Sequence, residues 1–237
     1  MNKQQQYLFL VVLVCGVCGV HQDVVEKLLV AIPSNTRTQY QPESFDSAAF
    51  WEKRYASGDT SGSGSYGVLA EYKAAVLNKF VEQEHVELIV EFGFGDGNQL
   101  SMAKYPQYFG LDVSPSVFAA TKTRFVNDTT KHFAIYDGRP VPGLTADLVV
   151  SLDVLYHLIE QRVYVNYLVS LFEASSRFVI IYACDENRPQ HGSHVLFRRF
   201  TDDVKFLYRD LWTLDTVLDN PHATLTPAKF YVFKRSQ

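Results

Sequence analysis

Cysteine is scarce in this 237-residue chain, and the three present, Cys15, Cys18 and Cys184, exclude more than they offer. Cys15 and Cys18 lie inside an apolar N-terminal run, so their C-x-x-C spacing points to neither a zinc site nor a redox pair. Cys184 stands alone beyond that run, so no internal disulfide framework can hold the rest of the chain, and its stability has to come from a core. Basic clusters are missing as well. Lys and Arg total 22 against 26 Asp and Glu, a net charge of −4, and no basic run accompanies the aromatics. A nucleic-acid partner is therefore not expected, because phosphate contacts need clustered cations. The chain shows no internal repeat and no coiled-coil heptad. No apolar run reaches the roughly twenty residues that cross a bilayer comfortably. Apolar and aromatic residues are plentiful, at 47% and 14%, which is ample for the core of one α/β domain.

The longest apolar run, Tyr7 to Val20, follows a polar start that includes Lys3 and precedes His21-Gln22-Asp23. It has the size of the apolar segment of a secretory signal peptide. Residues 1–19 are expected to be a signal peptide cleaved after Gly19, with an uncleaved membrane anchor or a buried helix as alternatives. Residues 20–44, rich in Pro, Ser, Asn, Thr and Gln from Ile32 onward, are expected to form a flexible stem. Residues 45–237 then make the folded domain. A signal would place the protein in the lumen of the secretory pathway or outside the cell, although a domain without disulfides speaks against export. Asn127-Asp128-Thr129 is a glycosylation sequon on an expected surface loop.

Within the domain the most informative stretch is Leu88-Ile89-Val90-Glu91-Phe92-Gly93-Phe94-Gly95-Asp96-Gly97-Asn98. A buried-strand pattern runs into an acid and then into three alternating glycines. Such a strand-to-helix turn lets the backbone approach a ligand, because glycine has no side chain in the way and tolerates positive φ. About twenty residues on, Tyr108-Phe109-Gly110-Leu111 ends in Asp112, the position at which nucleotide-type α/β folds grip ribose hydroxyls. Together they point to an adenosine-containing cofactor. The dinucleotide pattern is G-x-G-x-x-G, with a pyrophosphate on the helix N-terminus. Here the acid of Glu-x-Gly-x-Gly-x-Gly would repel a pyrophosphate but suits an ammonium group. An NAD-dependent oxidoreductase is accordingly disfavoured.

The segment resembles motif I of class I S-adenosylmethionine-dependent methyltransferases, and signals further along fall in the order that fold requires. Val113-Ser114-Pro115-Ser116 reads as a turn with Ser114 as helix cap and Pro115 at the first helical position. A third strand, His132 to Tyr136, runs into Asp137-Gly138, and a fourth, Asp147 to Leu152, ends in Asp153. The segment Val154 to Glu160 resembles motif IV and the start of the next helix, and Arg177 to Ala183 gives a fifth strand. Leu211 to Leu218 and Lys229 to Lys234 alternate at period two and would form an antiparallel pair, with the last strand inserted beside the fifth. The resemblance runs from about Phe50 to the C-terminus. It implies a three-layer α/β sandwich around a seven-stranded, mostly parallel sheet with an antiparallel last strand. Tyr55 through Gly67, with Glu91-Phe92-Gly93, also looks like a set of bacterial methyltransferase-domain proteins of undefined substrate.

The resemblance implies S-adenosylmethionine as cofactor and assigns its contacts. Glu91, Gly93, Gly95 and Gly97 would hold the methionine end, Asp112 the ribose and Asp137 the adenine amino group, with Asp153 also against the cofactor. Residues 50–67 are similar to the lid that precedes motif I in small-molecule methyltransferases, or else are a plain Gly/Ser linker. In such lids Trp51-x-x-x-Tyr55 brings the tyrosine to the cofactor carboxylate. A hydroxyl acceptor must also lose a proton to a base. His157 is the first candidate, with a helix-packing role as its alternative, and His194 is the second. Arg198 and Arg199 would hold an anionic acceptor or form a solvated surface. Asp153, Asp185 and Glu186 are weighed as a metal site, and no metal is expected. The expected activity is O-methylation of a small molecule or a glycan hydroxyl. A lipid-linked acceptor becomes competitive if the N-terminus is an anchor. A catalytically silent binding protein on the same fold is the other class of reading.

Overall fold

The computed structural model describes residues 45–188 and 194–236. The expected signal segment and stem, and Gly192-Ser193 ahead of His194, lie outside the described residues. Helix α1 (Ser47–Ala56) and α2 (Gly67–Gln83) precede the sheet strands β1 (Leu88–Phe92) and β2 (Gln107–Asp112). Then follow α3 (Pro115–Arg124), β3 (Lys131–Ile135), β4 (Ala146–Leu152), α4 (Gln161–Glu173), β5 (Ser175–Ala183), α5 (Phe200–Tyr208), β6 (Trp212–Leu218) and β7 (Lys229–Arg235). The sheet order is β3-β2-β1-β4-β5-β7-β6. The pairings among β1 to β5 are parallel, and β7 pairs antiparallel with both β5 and β6. This is the expected three-layer sandwich with its last strand inserted beside the fifth.

The strands are apolar on both faces because helices cover both. Along β1, Ile89 belongs to one buried cluster and Val90 and Phe92 to the other, and β4 divides Leu148 and Val150 from Val149 in the same way. The side with Val90 packs against Tyr164, Val165 and Leu168 of α4 and Phe200 and Val204 of α5. The side with Ile89 packs against Leu77 and Val81 of α2 and Val117 of α3. Near-continuous apolar strands are the mark of a parallel sheet buried between helix layers. Helix α3 starts as its sequence dictates, with Ser114 Oγ accepting from Val117 N at 3.1 Å and Pro115 at the first helical position.

Parallel register brings the carboxyl ends of β1, β2 and β4 to one level, with Glu91 opposite Gly110 and Val150, and Phe92 opposite Leu111. The strand order reverses between β1 and β4, and open α/β sheets bind ligands outside the carboxyl ends at such a reversal. Among the described residues no helix is long and apolar enough to cross a membrane.

Candidate active site

A cavity of about 470 Å³ opens at that reversal. The strand-end loops form its floor. Glu91 is buried and accepts a 2.7 Å hydrogen bond from Tyr108 Oη, and burial pushes its carboxyl up to about 7. Gly93 and Gly95 line the cavity with φ of 82° and 58°, a region that L side chains rarely adopt. A Cβ on Gly95 would stand 2.3 Å from Ser61 Oγ and 3.2 Å from Tyr55 Oη, so only glycine leaves that cradle open. Gly97 stands outside the cavity. A Cβ there would strike Phe125 and Thr121 of the α3 region at 2.8 and 3.0 Å, so this glycine lets the loop pack on the helix and does not line the cofactor space as expected.

Asp112 ends β2 and clamps the floor. Its Oδ2 accepts from Gly95 N and its Oδ1 from Ser114 N, both at 3.0 Å, and burial pushes the carboxyl up to about 6. Each carboxylate oxygen keeps a lone pair for a further donor, as ribose hydroxyls require. Asp153 follows β4 at φ 60° and accepts from Lys73 Nζ at 2.6 Å and from Tyr156 Oη at 2.8 Å. Asp137 is at the rim; its side chain is 71% exposed and accepts from Arg139 N in its own turn.

Helix α1 and the Gly/Ser loop form the roof. Ala48, Trp51 and Tyr55 fall on one helical face and line the cavity. Ser47 N and Oγ donate to Glu160 Oε1 at 2.7 and 3.1 Å, and Glu52 accepts from Ser114 Oγ, Ser116 N and Ser116 Oγ. The Gly/Ser loop is pinned to the glycine turn through Asp96. Its Oδ2 accepts from Ser61 N at 2.7 Å and Tyr66 Oη at 2.9 Å, and its N–H donates to Ser61 Oγ at 2.9 Å. Tyr55 Oη and Ser61 Oγ are 3.1 Å apart. The segment covers the cavity and is hydrogen-bonded down onto the floor.

His157 lies in the wall, at the end of a single 3₁₀ turn (Leu155–His157) four residues before α4, and not on the helix itself. Its Nδ1 is 2.9 Å from the carbonyl oxygen of His194. A carbonyl only accepts, so Nδ1 carries the proton and Nε2 keeps its lone pair. The ring meets Trp51 edge-on at 4.9 Å and lies parallel to His194 at 5.5 Å, and burial pulls its pKa down to about 4. His194 does not line the cavity; its ring stacks on Phe50 at 4.8 Å and its backbone orients His157.

The two arginines part company. Arg198 is buried, against both readings made of it from sequence: Nη1 and Nη2 donate to Leu158 O and Ile159 O at 2.7 Å each, and the guanidinium lies 4.3 Å over the Tyr164 ring. It clasps the loop that follows His157. Arg199 is exposed. Asp185 accepts from Thr201 N and Oγ1 at the start of α5, and among the described residues no group of three His, Cys, Asp or Glu is placed to hold a metal.

Sequence reasoning missed Lys73, Glu160, Gln99 and Asp96. The signal for Lys73 was present: it interrupts the buried stripe Leu69, Ala70, Ala74, Leu77 and Val81 of α2. Glu160 and Gln99 each keep one buried oxygen, Oε2 and Oε1, without a partner among the described residues, and both side chains line the cavity. Open glycines, a clamped acid below and unpaired acceptors at the wall suit a nucleoside ligand with N–H and O–H donors.

No protein-family model matches the chain, and no curated protein matches it. Solved structures do. The magnesium protoporphyrin IX methyltransferase of Synechocystis, with bound S-adenosylmethionine, superposes with a TM-score of 0.59 at 14% identity, covering 83% of this chain and all of that one. The N-methyltransferase NodS of Bradyrhizobium japonicum, in complex with S-adenosylhomocysteine, gives 0.62 at 14% identity over 81% of this chain and all of that one. The small RNA methyltransferase HEN1 gives 0.54 at 17% identity over 71% of this chain and 25% of that one. Porphyrin, N-methyl and RNA enzymes thus share one scaffold, and the scaffold alone selects no acceptor. The architecture of this chain is the class I, Rossmann-like fold of S-adenosylmethionine-dependent methyltransferases.

Proposed function

We propose that the protein is an S-adenosylmethionine-dependent methyltransferase that acts on a hydroxyl of a small molecule or glycan. Bound S-adenosylmethionine supplies an electrophilic methyl group on a sulfonium. The chain's part is to align and to accept a proton. Glu91 would take the cofactor's ammonium group, the open turn at Gly93 and Gly95 would let the backbone approach, and Asp112 would take the ribose hydroxyls. The rim and wall carboxylates, Asp137 and Glu160, would accept from the adenine amino group.

The observation that carries the hydroxyl reading is the state of His157. Its Nδ1 proton is committed to His194 O, and the remaining lone pair belongs to a ring in the cavity wall. A hydroxyl under methylation becomes strongly acidic as its oxygen gains a third bond, so a neutral imidazole suffices as base even with a pKa near 4. The low value also keeps a second positive charge away from the sulfonium. The cavity falls in the size range of small-molecule sites, and its carboxylate-rich lining disfavours a polyanionic acceptor. The choice of a glycan rests on the N-terminal apolar segment and the Asn127 sequon, both read from sequence, which would place the enzyme in the secretory lumen.

The test is a melting experiment on the domain from Phe45 onward with S-adenosylmethionine, S-adenosylhomocysteine and NAD in parallel. A ligand at about a hundred times its dissociation constant adds about 2.7 kcal/mol and raises the transition by several degrees. A rise with the two adenosyl-sulfur ligands and none with NAD is expected. A rise with NAD alone would overturn the assignment.

A further inference from the structure

The cavity has an uneven charge balance that the floor motifs do not explain. Among the described residues six carboxylates line it, from Asp46, Glu91, Asp112, Asp137, Asp153 and Glu160, and against them stands a single cation, Lys73. Its side chain is 1% exposed, on the inner stripe of α2. An ammonium carries three N–H donors and no acceptor. One donor is used by Asp153 Oδ2 at 2.6 Å, and among the described residues its other neighbour is the face of the Tyr182 ring, 5.3 Å from Nζ. Such a buried cation carries a desolvation penalty unless its geometry and its remaining donors are well satisfied.

The cofactor presents a complementary problem. Its amino-acid end is a zwitterion, and a carboxylate entering this cavity is repelled by every charged side chain in the lining except one. Tyr55 is poorly placed to receive it alone. Its hydroxyl is tied to Ser61 Oγ, and the charges of Asp112 and Asp96 already weigh on it. Lys73 has the opposite setting, with its positive charge felt by Glu91, the acid assigned to the ammonium group. Cation and anion for the two ends of the zwitterion therefore line one cavity.

We propose that Lys73 is the anchor for the cofactor's carboxylate, bridging it to Asp153, and that through it the cavity selects cofactors that retain that carboxylate. The assignment rests on the S-adenosylmethionine reading. It makes Lys73 a binding residue contributed by the helix before motif I, outside the strand-end loops. Asp153 in turn positions Lys73, held from its other side by Tyr156.

Calorimetric titration of the wild type and of Lys73→Met separates the possibilities, with three probes. S-adenosylhomocysteine carries both charged groups, its decarboxylated analogue keeps only the amine, and 5′-methylthioadenosine lacks the amino-acid end. The wild type should bind S-adenosylhomocysteine about ten- to a hundredfold tighter than the decarboxylated analogue, the usual range for a charged hydrogen bond. In Lys73→Met that preference should fall to about threefold or less, with methylthioadenosine affinity nearly unchanged. Equal binding of the two larger probes by the wild type, or a preference that survives in Lys73→Met, would overturn the anchor while leaving the cofactor reading intact. Failure of all three probes, methylthioadenosine included, would overturn the cofactor reading and the anchor with it. If Lys73→Met does not fold because Asp153 is left buried without its partner, Lys73→Met/Asp153→Asn is titrated instead. The same collapse of the preference is expected there, and its persistence refutes the anchor.

Discussion

The floor and the roof of the cavity are built by different physics. The floor is backbone: strand ends in register, two glycines at positive φ, and Asp112 accepting from the N–H groups on either side of it. The roof is side chains: Ser47 on Glu160, Glu52 on two serines, Ser61 and Tyr66 on Asp96, pairs separated by 30 to 113 residues. The floor cannot move without breaking the sheet. The roof is held to the floor by a few hydrogen bonds, each worth about 1 kcal/mol net.

The contrast is sharpest at glycine. Gly95→Val places branched carbons where Ser61 and Tyr55 already stand, at a φ of 58°. Cofactor affinity should drop by about a hundredfold or more, beyond detection by titration. Gly58 in the roof also has positive φ, 82°, but nothing within 4 Å of a Cβ. Gly58→Ala should cost about 1 kcal/mol of stability and leave affinity within a factor of about two. Equal losses at the two positions would erase the distinction between floor and roof.

A smaller effect is expected in the wall. His157→Gln should lower turnover about a hundredfold with nearly unchanged cofactor affinity, and near-normal turnover would return His157 to a packing role. Its pH behaviour adds a second readout. The folded value, about 4, lies below the ordinary value of 6.5. The folded state therefore binds fewer protons, and the stability due to the neutral ring is full above 6.5 and is lost as pH falls toward 4. The wild type should lose more melting temperature between pH 7.5 and 5 than His157→Gln does. Its turnover should show no acid limb from His157 until near pH 4.

The smallest effect belongs to the roof. Asp96→Ala removes the acceptors of Ser61 N and Tyr66 Oη while leaving the glycines in place. Amide exchange across residues 57–66 should quicken about tenfold or more, and cofactor affinity should weaken about three- to tenfold. Exchange at the wild-type rate would mean that the loop is held by something other than Asp96.

This division also explains what could be read in advance. Strands, their order, the inserted last strand and the Ser114 cap were legible because apolar periodicity and local cap chemistry act over a few residues, and most strand ends fell within two residues of expectation. That Glu91, Gly93, Gly95 and Asp112 come together at one cavity was legible because strand ends fix where they sit. Gly97 was placed on the ligand because spacing does not distinguish a glycine that faces a cofactor from one that faces a helix. Arg198 was read as a surface or acceptor-binding residue because its two partners, Leu158 O and Ile159 O, lie forty and thirty-nine residues away. Lys73 was passed over for a similar reason. A lysine on a helix is ordinarily solvated, and only the fold reveals the carboxylate eighty residues on that keeps it inside.

One consequence of the sheet order concerns synthesis. Strand β7 lies between β5 and β6, and its Phe230, Tyr231, Val232 and Phe233 supply side chains to both cores. Until that strand has left the ribosome, β5 has an open edge and β6 has no partner in the sheet. A nascent chain that has emerged only as far as β6 thus exposes a sheet edge of the kind that invites misassembly. Completion of the sheet has to wait for the last strand in the order of translation, whichever compartment receives it.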